Sequence, residues 1–81
     1  MNSGKDINTA FSEVLRELRE LRGLSQEALA AKSDLDRTYI SLLERGQRQP
    51  TLKSMSSLAN ALETTLTEFA RQIEYKLNEN R

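Results

Sequence analysis

The feature that most restricts this chain is the brevity of its central helical segments. Residues 25–45, SQEALAAKSDLDRTYISLLER, read as a helix over 26–32, a turn at Ser33, Asp34 and Leu35, and a second helix over 37–45. Ser25 and Asp36 are short oxygen-bearing side chains of the kind that cap the free amides at a helix start. Isolated helices shorter than about 12 residues are marginal in water, so neither segment stands alone. The pair needs a larger bundle to hold it.

The flanking sequence supplies that bundle. Ile7, Phe11, Val14, Leu15, Leu18 and Leu21 recur at spacings of three and four, which predicts a helix over 7–22 with one apolar stripe. Glu13, Arg16, Glu17, Arg19 and Glu20 fall between them as a charged face, with Arg16 and Glu20 spaced for an ion pair. Gly23 and Gly46 are placed to end the first and third helices. In the central pair, Ala28, Leu29, Ile40 and Leu43 are the inward residues. After a polar loop ending at Pro50, Thr51 caps a helix with the stripe Leu52, Met55, Leu58, Ala59 and Leu62. Thr65 and Glu68 have capping-box spacing and open a fifth helix over 66–78, with Leu66, Phe69, Ala70, Ile73 and Leu77 on one face. No strand-like alternation or internal repeat occurs. The expectation is an all-α domain of five helices over 7–81, preceded by a polar, flexible arm over 1–6.

Composition removes several classes of function. A chain of 81 residues has room for one domain, and so small a domain buries only about 60% of its unfolded surface, which makes a second subunit a useful source of burial. No apolar run approaches the roughly 20 residues that cross a bilayer, and the start lacks a signal-peptide core, so no membrane association and a cytoplasmic location are expected. With neither Cys nor His present, disulfides, thiolate chemistry, the usual zinc sites and imidazole catalysis are excluded. The serines lack a motif that would supply an activating base, so neither enzyme activity nor a cofactor is expected. The formal net charge of zero and a pI of about 6.3 argue against bulk electrostatic binding of nucleic acid. The distribution is uneven, because 36–53 carries Arg37, Arg45, Arg48 and Lys53 against Asp36 and Glu44.

Read in unbroken order, LRELRELRGLSQEALA, LDRTYISLLERGQRQPT and SSLANALETTLTEF resemble the Cro and phage-repressor type helix-turn-helix domains, the XRE family. DRTYIS and the small size look most like the controller proteins of restriction-modification systems. That resemblance implies a repressor-like, sequence-specific transcription regulator that binds a near-palindromic double-stranded DNA operator as a homodimer. A phage-type repressor or an antitoxin is the alternative within the class, and a helical protein-interaction module is the alternative outside it.

The resemblance also implies roles for particular residues. Gln26 would bond a phosphate at a helix start, or be an ordinary surface residue. Arg37, Thr38 and Ser41 would face base edges, with Tyr39 toward the backbone or half-buried. A guanidinium suits O6 and N7 of guanine, so Arg37 is the leading candidate, its alternative being a salt bridge to Asp34 or Asp36. Gln47 and Arg48 would lie along the sugar-phosphate backbone, and Lys53 would add a phosphate contact. Arg19 and Glu44 match a buried structural ion pair. Asp34 stands where Gly is common, which implies a strained left-handed turn. Glu27 matches an acidic position that meets the sigma subunit of RNA polymerase in activators, or it is simply a charge that favours a helix start. Phe69, Ile73 and Leu77 would form a dimer seam, though Phe69 and Leu66 also suit the core. A dimer would set two recognition helices roughly 34 Å apart, one turn of duplex.

Overall fold

The computed structural model describes residues 6–79. It contains five helices: α1 (Ile7–Leu21), α2 (Gln26–Ser33), α3 (Arg37–Glu44), α4 (Leu52–Ala61) and α5 (Leu66–Leu77). Most of the expected arm lies outside the described residues. Its last member, Asp6, is the N-cap of α1, accepting from the Thr9 amide at 2.8 Å. That bond holds the Asp6 carboxyl below its usual range.

Every helix starts on a side-chain acceptor. Ser25 takes the Ala28 amide, Asp36 that of Thr38, Thr51 that of Ser54 and Thr65 that of Glu68. The capping box expected at Thr65 and Glu68 forms only in its forward half. The Glu68 carboxylate turns instead to Arg71, at 2.9 and 3.0 Å, and to Gln72 at 3.1 Å, because a bidentate charged partner outcompetes one backbone amide. The complete box lies at Thr51 and Ser54.

Asp34 ends α2 at φ 58°, ψ 40°. This is the left-handed conformation, which lets the Leu35 amide bond the Ala30 carbonyl at 3.0 Å. Glu63 does the same after α4, with φ 62° and Thr64 bonded to Ala59 at 2.9 Å. A side chain in this region costs about 1–2 kcal/mol, whereas glycine loses about 0.5–1 kcal/mol in entropy. Asp34→Gly and Glu63→Gly are each expected to stabilise the domain by about 0.5–1 kcal/mol, raising Tm by several degrees in a thermal melt. A fall in Tm for both would contradict the turns as drawn.

The core runs through all five helices. Phe11, Val14, Leu15 and Leu18 of α1 meet Leu29, Ile40, Leu43, Leu58 and Leu62, and α5 closes it with Phe69 and Ile73. Phe11 and Phe69 stack with centroids 5.6 Å apart and planes 12° from parallel. This corrects the dimer-seam assignment of Phe69. At 0% exposure it has no surface to offer a partner, and Ile73 at 6% has little, because α5 packs along α1 and covers its own apolar face. The stripes also overreach at helix ends, where no neighbour stands to cover them: Ile7, Leu21 and Leu52 are exposed.

Polar side chains of α1 fasten the other helices. Ser12 Oγ donates to the Leu43 carbonyl at 2.8 Å, and Asn8 Nδ2 to that of Gly46 at 3.1 Å. The first joins the Gly46 amide on a carbonyl in the last turn of α3, and the second holds the chain just after that helix. Arg22 Nε does the same for Leu62 after α4, at 2.8 Å. The expected Arg16 and Glu20 pair is absent from the described residues; Arg16 turns toward Glu44 instead.

Candidate nucleic-acid interface

The two ends of α3 are treated differently. Its C-terminal end is locked by Ser12, by Asn8 and by burial of Ile40, Leu43 and Glu44. Its N-terminal end protrudes. Arg37 and Thr38 are exposed there, and Asp36 Oδ2 holds the Thr38 amide at 3.0 Å. Among the described residues neither Asp34 nor Asp36 pairs with Arg37, which leaves its guanidinium available to a ligand. Ser41, one turn further along, is half-buried.

Tyr39 is half-buried between α3 and α4. Its hydroxyl lies 3.1 Å from Ser54 Oγ, the hydroxyl that also closes the α4 capping box. The Arg48 guanidinium sits over the Tyr39 ring, 5.6 Å from its centroid, in cation–π range. Tyr39 therefore ties α3 to α4 and gives Arg48 a platform. Gln47 and Arg48 are exposed in the loop after α3, and Lys53 is exposed in the first turn of α4. Arg37, Thr38, Arg48 and Lys53 thus stand outside the core on α3, the following loop and the start of α4.

Glu44 is the hub of the interior. Its side chain is 1% exposed and is held by Arg19, with Nε to Oε2 at 2.5 Å and Nη2 to Oε1 at 3.0 Å. Arg19 Nη1 also donates to the Leu24 carbonyl at 2.8 Å, which fixes the entry to α2. The bonds to Glu44 raise the Arg19 guanidinium above its already high range. Gln26, the first residue of α2, donates Nε2 to Glu44 Oε1 at 3.1 Å. One amide proton is committed inward, and the second remains for an anion near the α2 start. Glu27 lies exposed beside it in the first turn of α2 and makes no ion pair among the described residues.

The family resemblance singled out Arg37, Thr38 and Arg48, but neither it nor the residue pattern gave a role to Ser54, Ser12 or Asn8. Those three act through contacts made 15, 31 and 38 residues away in the chain, which no local periodicity marks.

The profile of the helix-turn-helix family HTH_3 matches residues 15–69. Control protein C.MunI of Mycoplasma sp is 43% identical over 70 residues, which make up 85% of this chain and 95% of that protein. The restriction-modification controller protein C.AhdI from Aeromonas hydrophila superposes with a TM-score of 0.74 at 47% identity, covering 76% of this chain and 94% of that one. The controller protein C.Esp1396I, solved as a tetramer in complex with its natural 35 base-pair operator, superposes with a TM-score of 0.84 at 35% identity, covering 91% of this chain and 97% of that one.

Proposed function

The chain belongs to the helix-turn-helix family HTH_3 and is homologous to the controller proteins of restriction-modification systems, and from that premise we propose that it regulates transcription by binding a specific double-stranded DNA operator as a homodimer. The observation that carries this is the state of α3: locked at its C-terminal end, exposed at its N-terminal end, with the Arg37 guanidinium unpaired among the described residues. Arg37 and Thr38 read base edges, with Ser41 at the margin. Gln26, Gln47, Arg48 and Lys53 hold the phosphate backbone. Tyr39 contributes by supporting Arg48. The protein works by binding, without catalysis. Where it activates, Glu27 is the side chain offered to the sigma subunit of RNA polymerase.

The dimer surface is an apolar groove walled by Ile7, Pro50, Met55 and Leu77, with the buried Phe11 and Ile73 as its floor. Its occupant is a second copy of this chain. An exposed Ile7 at its mouth and the tetrameric state of the C.Esp1396I complex support that choice. Leu77 is the member of the expected seam that retains a role there, at the end of α5. Ala70, exposed and on the same wall, tests it: Ala70→Glu adds charge without entering the core. Sedimentation is expected to show a monomer for Ala70→Glu and a dimer for the wild type, with operator affinity falling in step.

The function itself is tested by gel shift on mixed-sequence DNA and on the symmetric sequence upstream of the gene, across a range of salt. Affinity is expected on both, tighter for the symmetric site and falling as salt rises. A helical interaction module would show no affinity that falls with salt.

A further inference from the structure

We propose that Arg16 of α1 is a phosphate-binding residue that extends the DNA interface from the helix-turn-helix onto the first helix. This rests on the reading of α2 and α3 as DNA-facing. The argument is one of charge and saturation around Glu44. One buried carboxylate faces two guanidinium groups, Arg19 and Arg16. Arg19 commits Nε, Nη1 and Nη2 to Glu44 and to the Leu24 carbonyl, and its side chain is 14% exposed. Gln26 adds a further bond to Oε1. Glu44 is thereby compensated before Arg16 arrives.

Arg16 approaches the same Oε1 only to 3.9 Å, beyond hydrogen-bond range, and its side chain is 54% exposed. Its side chain makes no hydrogen bond among the described residues. Arg16, Arg19 and Glu44 together keep one surplus positive charge on the most exposed of the three, with the Glu20 carboxylate in electrostatic reach of Arg19 rather than paired to Arg16. Glu20, the residue spaced to neutralise it, does not pair with it among the described residues, and Glu13 faces Lys76 at 3.7 Å. Because Gln26 and Arg16 approach one carboxylate oxygen, the two side chains lie close together, so a phosphate backbone held at Gln26 would pass near Arg16. Moving Arg16 outward to a phosphate breaks no hydrogen bond within the described protein. A phosphate contact of this kind adds affinity without sequence preference.

The test compares wild type, Arg16→Gln and Arg16→Lys on the operator and on mixed-sequence DNA as salt is varied. Arg16→Gln is expected to weaken both DNAs alike, by about three- to tenfold at low salt, and to flatten the slope of log affinity against log salt by about 0.9 for each protomer bound. Arg16→Lys, which keeps the charge, should restore the slope. A purely structural role would lower Tm and leave the slope unmoved. A wild-type slope in Arg16→Gln overturns the proposal while leaving the roles of α2 and α3 intact. Failure of the wild type to bind any DNA overturns both readings together.

Discussion

Arg19→Met is expected to cost about 3–5 kcal/mol, the range for removing one partner of a buried ion pair. The reason is the burial of Glu44, whose side chain is 1% exposed. Without Arg19 it retains only the Gln26 amide and a distant Arg16, so a nearly uncompensated charge stays in the interior. Domains have a total margin of about 5–15 kcal/mol, and a loss of this size should lower Tm by more than about 10 °C. The double variant Arg19→Met/Glu44→Leu is expected to be more stable than Arg19→Met alone, because it removes both charges from the interior. Urea or thermal unfolding of the three proteins measures the coupling. A double variant no more stable than Arg19→Met would mean that the loss comes from packing rather than charge. The consequence reaches function, since this pair joins α1 to the end of α3 and, through Gln26, to the start of α2.

Arg37→Ala should have the largest effect on recognition and little on folding. The side chain is exposed and supports no core contact, whereas a bidentate contact with guanine discriminates by about 1–3 kcal/mol per site. A dimer uses it twice, so operator affinity is expected to fall on the order of 10²- to 10³-fold while affinity for mixed-sequence DNA falls far less. Arg48→Ala supplies the contrast. Arg48 sits over Tyr39, away from the exposed N-terminal end of α3, so its loss should weaken both kinds of DNA alike and flatten the salt dependence. Binding titrations on the two DNAs separate the roles. Equal losses for Arg37→Ala on both would remove Arg37 from base recognition.

Much of the architecture was legible because it is written locally. Ser25, Asp36, Thr51 and Thr65 cap helices through amides two or three residues away, and the apolar spacing of three and four marks the faces that α1 and α3 bury. Asp34 was legible as a left-handed turn because the resemblance places a glycine there. Glu63, in the same conformation, was missed, since nothing about a glutamate before Thr64 signals a positive φ. The capping box was misplaced for a related reason. Thr65 and Glu68 have the right spacing, but Arg71 competes for the carboxylate.

By itself the sequence determined five helices and their starts, which follow from spacings of a few residues, while the identity of the motif and the choice of Arg37 and Thr38 came from its resemblance to a known family. Only the tertiary structure decided how the surfaces are shared out. It put Phe69 into the protomer core against Phe11 and left Ile7 and Ala70 outside. It also seated Arg48 on Tyr39 and drew Arg16 toward Glu44 rather than Glu20. The physical reason is that an apolar stripe or a charged face states what a helix has to bury or pair, but not with what. Which partner is reached depends on the angles at which α1, α3, α4 and α5 cross, and those are set by the packing of the whole core.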